Sequence, residues 1–286
     1  PDWLITGLVG QGSLGSVYRI MPKDTAAPGS QQPCAIKVIS VPQNEHIYSR
    51  MVSELGGPNN VREYLKGILA AIDKELTRFE STQSLGKNTV SYLDHKVVPH
   101  DHDFGYDVLI RMEYLNPFSK FILQNRPDEE MIIRMGIDLC ESLQAAERMK
   151  IVHRNIKPEN VFMSSDRAFM LGDHCMSSIA DAMTFSPMSA GSTYTVPEVY
   201  RKELYDNRAD IYSLGLLMYR LLNENRDPYM DSKGNLITFE ARNEALNKRL
   251  SAEYLPDPLH GSPELKGIIK KACAGAPAAA LQMPAK

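Results

Sequence analysis

Side chains able to do chemistry are concentrated between residues 151 and 162. The sequence there, IVHRNIKPENVF, places a run of polar and charged side chains between two apolar pairs. A little further along the chain, an apolar run ends in the carboxylate of Asp173. Asn160 and Asp173 carry oxygen atoms of the kind that Mg²⁺ prefers when phosphate groups complete its coordination shell. These two side chains therefore predict a magnesium site that would also hold a phosphate-bearing ligand.

Glycines near the start of the chain could bring backbone amides close to phosphate oxygens. Gly10, Gly12 and Gly15 form a Gly-x-Gly-x-x-Gly pattern, and Val17 follows it. Glycine allows close approach of the backbone and turns that other residues avoid. A flexible hairpin without a ligand is the alternative. The pattern also occurs in dinucleotide-binding folds, but a helix follows the third glycine there, whereas residues 16–20 have the pattern of a strand.

A lone lysine occupies the otherwise apolar strand pattern of residues 34–40. Side chains alternate along a strand, so Ile36 and Val38 share the face opposite to Lys37. Either Lys37 lies at the surface of an edge strand, or its ammonium group acts as a point charge for phosphate. The second alternative is the functional hypothesis, and a buried ammonium group would need a carboxylate partner.

That carboxylate would come from the amphipathic helix predicted over residues 61–80. Apolar residues recur there at spacings of three and four. The helix offers Glu63, Glu75 and Glu80, and we favour Glu75 because Phe79 lies one turn beyond it on the same face. An ordinary solvent-exposed position is the alternative for each glutamate.

Composition and charge exclude several classes of protein. The chain has 286 residues, of which 43% are apolar and 23% charged, and its net charge is −3 at pH 7. These values exclude a disordered chain, a collagen and a disulfide miniprotein, and they argue against nucleic acid as a partner. The sequence also shows no membrane segment, no signal peptide and no Cys-x-x-Cys pair. A cytoplasmic location is therefore expected, either for this chain or for a longer protein of which it is the cytoplasmic domain.

The elements that must position these residues divide the chain into two parts. Strands are predicted at residues 4–9, 16–21, 34–40, 90–98 and 108–114, with the one long helix at 61–80. After residue 117 the pattern changes to helices at 128–149, 211–222, 239–250 and 264–274. An α+β fold of two lobes fits this division. The smaller lobe would comprise residues 1–115, the larger lobe residues 116–286, and the hinge residues 113–117.

The order and spacing of these motifs resemble those of the eukaryotic-type protein kinase family, most closely the bacterial Ser/Thr protein kinases. Residues 195–198 (TVPE) and 210–215 (DIYSLG) extend the resemblance to essentially the whole chain. It implies a single bilobal domain, with a small antiparallel β lobe that carries one main helix and a larger, mainly helical lobe. It also implies ATP and Mg²⁺ as cofactors and a protein as substrate or regulated partner.

The resemblance assigns a role to each candidate site residue. It implies that Lys37 pairs with ATP phosphates and with Glu75, and that Asp210 anchors the catalytic loop from a central helix. The remaining nucleotide and metal residues form three groups. The phosphates are assigned to Gly10, Gly12, Gly15 and Val17; the adenine to Val17, Ala35, Met112, Glu113, Leu115 and Phe162; the metal to Asn160 and Asp173.

Asn155 departs from the family pattern at the catalytic position. The family has an aspartate there that orients and deprotonates the substrate hydroxyl, and an amide cannot take that proton near neutral pH. Lys157, two residues later, is similar to the lysine that Ser/Thr kinases direct at the transferred phosphate. Near Asp173, His174 and Cys175 replace the Phe-Gly pair of the family, which predicts restricted movement of that segment.

Two more departures concern the segment after Asp173 and the end of the chain. Gly191 occupies a position where the family usually has threonine, and residues 278–280 are alanines where an arginine would pair with Glu198. The segment 175–196 is expected to be a loop rich in hydroxyl groups. A phosphate on one of them could pair with Arg154, although an ordinary polar loop is the alternative.

Two functional hypotheses stay open. The favoured one is a nucleotide-binding pseudokinase, because the phosphate and metal residues are retained while the base is missing. The alternative is an active Ser/Thr protein kinase in which Asn155 is an engineered inactivating change or is bypassed. A small-molecule kinase of related fold is a weaker third alternative, since those relatives usually lack the segments around Glu198 and Asp210.

Overall fold

The computed structural model describes most of the chain, in two compact units. The first unit comprises residues 1–84, 90–115 and 178–188, and the second comprises residues 85–89, 116–177 and 189–286. Within these ranges, the described residues are 3–12, 14–23, 32–81, 86–100, 105–183, 194, 196–197, 206–230, 238–251 and 255–274.

The first unit contains an antiparallel sheet of five strands. Its spatial order is β1-β2-β3-β5-β4, so β1 and β4 form the edges. All five strands were predicted from the apolar runs, within three residues at each end. The strands are β1 (Trp3–Gly12), β2 (Gly15–Pro22), β3 (Cys34–Val41), β4 (Tyr92–Pro99) and β5 (Tyr106–Glu113).

Two helices lie between β3 and β4 in the sequence. The long helix predicted there is α2 (Pro58–Ser81), and its spaced apolar residues, including Leu65, Ile72 and Leu76, are buried. The sequence analysis missed α1 (Glu45–Leu55). Its signals were the N-cap Asn44, whose side chain accepts from the Ile47 amide at 2.9 Å, and Gly56, which ends the helix with φ 78°.

The second unit is mainly helical, as predicted. It also contains a small antiparallel sheet of three strands, β6-β7-β8. Its helices are α3 (Phe118–Gln124), α4 (Glu129–Arg148), α6 (Arg208–Leu222), α7 (Phe239–Ser251) and α8 (Pro263–Ala272), and its strands are β6 (Asn116–Pro117), β7 (Val161–Met163) and β8 (Phe169–Leu171).

Helix α6 forms the centre of the second unit. Twelve of its fifteen residues are buried, as expected for a helix with apolar side chains around most of its circumference. At Gly215 an added Cβ would come within 2.8 Å of the Ala272 Cβ, so glycine lets α6 and α8 pack closely. The core around α6 also includes Leu139 and Leu143 of α4.

Segment 175–196 is not simply a loop. Residues 176–182 form α5 (Met176–Ala182), and residues 178–183 group with the first unit. The hydroxyl of Ser177 is buried and donates to the Val152 carbonyl at 3.2 Å. Ser177 is therefore a structural hydroxyl, whereas the hydroxyl residues from Thr184 to Thr193 lie outside the described part of the chain.

The α+β fold class predicted from the sequence is confirmed. The unit boundary falls between Leu115 and Asn116, although residues 85–89 and 178–188 group with the opposite unit from the one expected. The extent of the domain remains a prediction. In the described part of the chain, no helix combines the length and the hydropathy that a membrane span requires.

Candidate functional site

The glycine pattern forms the hairpin that joins β1 to β2. Gly10 lies opposite Val17, and Gly12 lies opposite Gly15. A Cβ added at Gly15 would lie 2.0 Å from the Val38 carbonyl oxygen, so the fold requires glycine there. A Cβ at Gly10 would meet nothing within 4 Å. Packing therefore does not explain the glycine at position 10, whose bare backbone instead leaves open space beside the hairpin.

One face of the sheet collects the residues assigned to the nucleotide. Lys37 lies directly opposite Val17 on β2, and Ala35 lies directly opposite Met112 on β5. Opposed residues of antiparallel strands point to the same face, and so do residues two apart on one strand. Val17, Ala35, Lys37 and Met112 therefore share a face, and the last three are buried. The predicted face of Lys37 is thus in the interior, not at an exposed edge.

Glu113 ends β5 next to the segment assigned to adenine. Its carboxylate accepts a hydrogen bond from the Ser91 amide at 2.6 Å, and its own amide donates to the Ser91 carbonyl. The Glu113 side chain therefore holds the residues before β4 in place. Leu115, two residues later, is half-buried in the first unit, and Phe162 is half-buried on β7 of the second unit.

The structure corrects the predicted pairing of Glu75. Among the described residues, the ion-pair partner of its carboxylate is Arg78 at 3.7 Å, not Lys37. Arg78 lies one turn further along α2, so it reaches Glu75 without any contact between the helix and the sheet. The role of Glu75 in nucleotide binding stays a prediction.

Asp210 holds the segment that precedes Asn155. Its two carboxylate oxygens accept hydrogen bonds from the backbone amides of His153 at 2.7 Å and Arg154 at 2.8 Å. Arg154 has φ 61°, a conformation that costs free energy for a residue with a side chain and needs such support. Burial raises the pKa of the Asp210 carboxyl, while the hydrogen bonds from the two backbone amides favour its charged form.

His153 connects the segment of Asn155 to the segment of Asp173. Its Nε2 lies 2.7 Å from the Gly172 carbonyl oxygen, and its Nδ1 lies 3.2 Å from the Asn155 amide nitrogen. A carbonyl can only accept and a backbone amide can only donate, so Nε2 carries the proton and Nδ1 accepts. The imidazole is therefore held in one neutral tautomer.

Asn160 and Asp173 lie at the same end of the β7–β8 hairpin. The Gly172 amide donates to the Asn160 carbonyl at 2.9 Å, which brings the two segments together. The Asn160 side-chain amide donates to the Asn155 carbonyl at 2.7 Å. This bond uses the nitrogen, so Oδ1 stays available as an oxygen ligand. An amide oxygen and a carboxylate suit Mg²⁺, which takes few protein ligands when phosphate supplies the rest.

The described residues contain no group of three or more His, Cys, Asp or Glu side chains that could hold a metal by themselves. A site of Asn160 and Asp173 would thus depend on ligand oxygens to complete the coordination of the ion. Within the second unit, this donor set fits Mg²⁺ whose remaining ligands are phosphate oxygens. Asn155 and Lys157 are half-buried in the loop just before Asn160.

A polar cluster that the sequence analysis missed surrounds His174. The ring is fully buried, and its Nε2 lies 3.1 Å from the Ser142 hydroxyl of α4. The ring also meets His153 edge to face, with centroids 4.7 Å apart. Burial holds the pKa of His174 well below its usual range, so the ring is neutral. Ser142 gave no sequence signal because it lies within an otherwise apolar helical face.

Three predicted features lie outside the described residues. They are the carboxylate of Glu198, the alanines at 278–280 and Gly191. Val196 is described and is buried in the core of the second unit.

Comparisons with known proteins agree with this arrangement. Residues 3–279 match the family model described as the protein kinase domain. The serine/threonine-protein kinase AtPK1/AtPK6 of Arabidopsis thaliana is 23% identical over 277 residues, which are 94% of this chain and 50% of the relative. The G2-specific protein kinase nimA of Emericella nidulans is 32% identical over 123 residues, 43% of this chain and 16% of the relative. The chain thus spans about half the length of the first of these relatives.

Proposed function

Because the chain belongs to the protein kinase family, we propose that it binds ATP with Mg²⁺ and is a catalytically impaired Ser/Thr protein kinase, a pseudokinase. The observation that carries the proposal is Asn155. It occupies the catalytic position in a loop that Asp210 and His153 hold from the backbone. The backbone around Asn155 is held as a working site would require. The Asn155 side chain, however, is an amide and cannot act as a general base.

The proposal gives the first unit the task of binding nucleotide. The backbone of Gly10 and Gly12 would lie along the phosphates, since glycine leaves room for them. The ammonium group of Lys37 would supply positive charge from the interior of the sheet. Val17, Ala35 and Met112 share its face and would present apolar surface to the adenine.

The proposal gives the second unit the metal and the acceptor. Asn160 Oδ1 and the Asp173 carboxylate would be the protein ligands of Mg²⁺. When bound, the ion would neutralise charge on the phosphate oxygens and orient them. Lys157 would place a positive charge near the transferred group. Asn155 would hydrogen-bond to the hydroxyl of a protein substrate without removing its proton.

The missing general base determines how far the rate of phosphoryl transfer should fall. General-base assistance contributes about 10²–10⁴-fold to the rate, or about 3–5 kcal/mol of barrier. Positioning and metal chemistry carry much of phosphoryl transfer, so slow turnover would remain. The output of the protein would then be conformational, with nucleotide favouring one arrangement that a protein partner recognises.

Thermal unfolding with added nucleotide tests the binding part. We expect ATP with Mg²⁺ to raise the melting temperature, because a ligand that binds only the folded state stabilises it. The variants Lys37→Met and Asp173→Asn should lose most of this shift. Lys96→Met is the matched control, since Lys96 is exposed on β4. A wild-type protein whose melting temperature does not respond to ATP and Mg²⁺ would contradict the proposal.

An active Ser/Thr protein kinase is the second candidate. The observation in its favour is that hydrogen bonds hold both the backbone amide and the backbone carbonyl of Asn155. This candidate requires either that Asn155 is a replacement for a native aspartate or that another acceptor takes the proton. Phosphate transfer by the chain with Asn155 at a rate close to that of Asn155→Asp would favour the version in which another acceptor takes the proton.

The proposal also covers the cellular location of the protein and the branch of the kinase family that it resembles. All four cysteines are free thiols, as expected in a reducing compartment such as the cytoplasm. The expected closeness to bacterial Ser/Thr kinases also stays a prediction. Phosphoprotein analysis of cells that contain or lack the protein would identify its substrate or partner.

A further inference from the structure

A buried serine interrupts the apolar face of α4. Ser142 is 0% exposed, on a helix whose other buried residues are almost all apolar. Its Oγ lies 2.7 Å from the Thr89 hydroxyl and 3.1 Å from His174 Nε2. All three side chains belong to the second unit. A buried hydroxyl without partners would cost free energy, and these two contacts satisfy the Ser142 hydroxyl.

The position of the proton on the His174 ring determines which groups donate and which accept in this cluster. Among the described residues, His174 Nδ1 is buried without a hydrogen-bond partner. A buried N–H without an acceptor is rarer than a buried acceptor without a donor. The proton therefore belongs on Nε2, which donates to Ser142, and the Ser142 hydroxyl is then free to donate to Thr89. Within the described part of the chain, the His174 ring has one hydrogen bond, and Ser142 provides it.

Thr89 is itself fixed to β8. It forms a parallel bridge with Leu171, and the neighbouring Asn88 accepts from the Leu171 amide at 2.8 Å. The Asn88 side chain also donates to the Phe169 carbonyl at 2.9 Å. Ser142 is thus supported by a segment that is hydrogen-bonded along the strand leading to Asp173.

The backbone of Asp173 needs support from both sides. Its φ is 65°, which costs free energy for a residue other than glycine and persists only when neighbouring contacts enforce it. On the N-terminal side, Gly172 is held by His153 and by the Asn160 carbonyl. On the C-terminal side, His174 is held by Ser142.

We infer that Ser142 is a positioning residue for Asp173. The Ser142 hydroxyl fixes the His174 ring. It thereby holds the backbone on either side of His174 in place, and with it the direction of the Asp173 carboxylate. The inference rests on the proposed function in one respect, namely that Asp173 is a metal ligand. It adds that metal binding by this chain depends on a hydroxyl group in α4 that would not itself touch the ion.

The variant Ser142→Ala tests this inference in the whole chain. We would measure the dissociation constant of ATP once with Mg²⁺ and once with EDTA. The ratio of the two constants is the metal-dependent gain in ATP affinity. Loss of groups that orient metal ligands typically costs about 10–100-fold in metal affinity. We expect Ser142→Ala to reduce this gain by about 10–100-fold and to leave the affinity for metal-free ATP unchanged. Ser213→Ala is the matched control, because Ser213 is also buried in the second unit and bonds only to carbonyls of Tyr194 and Ala209.

Hydrogen exchange without any ligand provides a second readout. The amides of Gly172 and Met176 donate to the carbonyls of Asn160 and Asp173. They should exchange faster in Ser142→Ala than in Ser213→Ala. If Ser142→Ala does not fold, Thr89→Val removes the next hydroxyl of the group and should give a smaller change of the same kind.

The outcomes separate the inference from the proposed function. If the wild-type protein shows metal-dependent gain and Ser142→Ala keeps it, the inference is wrong and the proposed function stands. If the wild-type protein shows no gain, the proposed function is wrong, and the inference falls with it as a statement about metal binding. Equal exchange of Gly172 and Met176 in both serine variants would show that Ser142 does not hold this backbone at all.

Discussion

His153 Nε2 donates a hydrogen bond to the Gly172 carbonyl at 2.7 Å. This one bond connects the loop that carries Asn155 to the segment that carries Asp173. The imidazole can do this only as a neutral ring with its proton on Nε2, because its Nδ1 accepts from the Asn155 amide. The residues proposed for transfer and for metal binding thus share one support in the second unit.

Restoring an aspartate at position 155 should increase phosphate transfer. Asn155→Asp supplies a carboxylate that can accept the proton of the substrate hydroxyl, so the rate should rise by about 10²–10⁴-fold. Incorporation of labelled phosphate from ATP into the protein itself and into a generic protein substrate would measure it. Asn155→Ala is the control and should transfer no faster than the wild type. If Asn155→Asp shows no gain, then His174, Cys175 or other changes have also disabled the site.

Removing the Asp210 carboxylate should destabilise the second unit. In Asp210→Ala the amides of His153 and Arg154 lose their acceptor, and an unsatisfied buried amide costs about 1–3 kcal/mol. The free energy of unfolding, measured by urea denaturation, should fall by about 2–6 kcal/mol for the two amides. Asp210→Asn keeps one acceptor oxygen and should lose less. Equal losses in the two variants would show that these hydrogen bonds do not determine the stability.

Two glycines of the β1–β2 hairpin should respond differently to alanine. Gly15→Ala forces a Cβ against the Val38 carbonyl and should lower the free energy of unfolding by about 1–3 kcal/mol. Gly10→Ala meets no atom within 4 Å, so stability should be unchanged, while affinity for ATP should fall because the Cβ occupies open space. Denaturation and equilibrium binding would measure the two effects. Unchanged ATP affinity in Gly10→Ala would argue against phosphates at this hairpin.

The stability of the first unit should depend on the charge of His95. Burial disfavours the charged ring, but hydrogen bonds to Asp73 and Glu80 of α2 outweigh it and raise the pKa of His95 above its usual value of 6.5. Since the folded protein binds this proton more tightly than the unfolded chain, the contribution is fully present below about pH 6.5 and is lost as the pH rises through the folded-state pKa.

The variant His95→Gln checks this pH dependence. Its deficit in free energy of unfolding, relative to the wild type, should be largest near pH 6 and should shrink as the pH rises. The double variant Asp73→Asn with Glu80→Gln should remove the dependence, because both acceptors lose their charge. A deficit that grows with pH would contradict the assigned ion pairs.

The sequence alone determined the secondary structure and the candidate residues to a large extent. Strand alternation predicted that Lys37 faces away from Ile36 and Val38, and the strand register places it beside Val17. The family resemblance implied that Asp210 anchors the catalytic loop, and its carboxylate accepts hydrogen bonds from the amides of His153 and Arg154. Apolar periodicity predicted α2 and α4. These features depend on local patterns, which the sequence displays directly.

Tertiary structure alone decided which side chains meet. The Glu75 carboxylate pairs with Arg78 rather than Lys37, since this pairing depends on how α2 is oriented on the sheet, which no spacing within the helix specifies. The contact of Ser142 with His174 joins residues 32 positions apart in the sequence. A serine among apolar helix positions looks like any other until folding buries it. Burial then makes its hydrogen bonds necessary, because water can no longer satisfy the hydroxyl group.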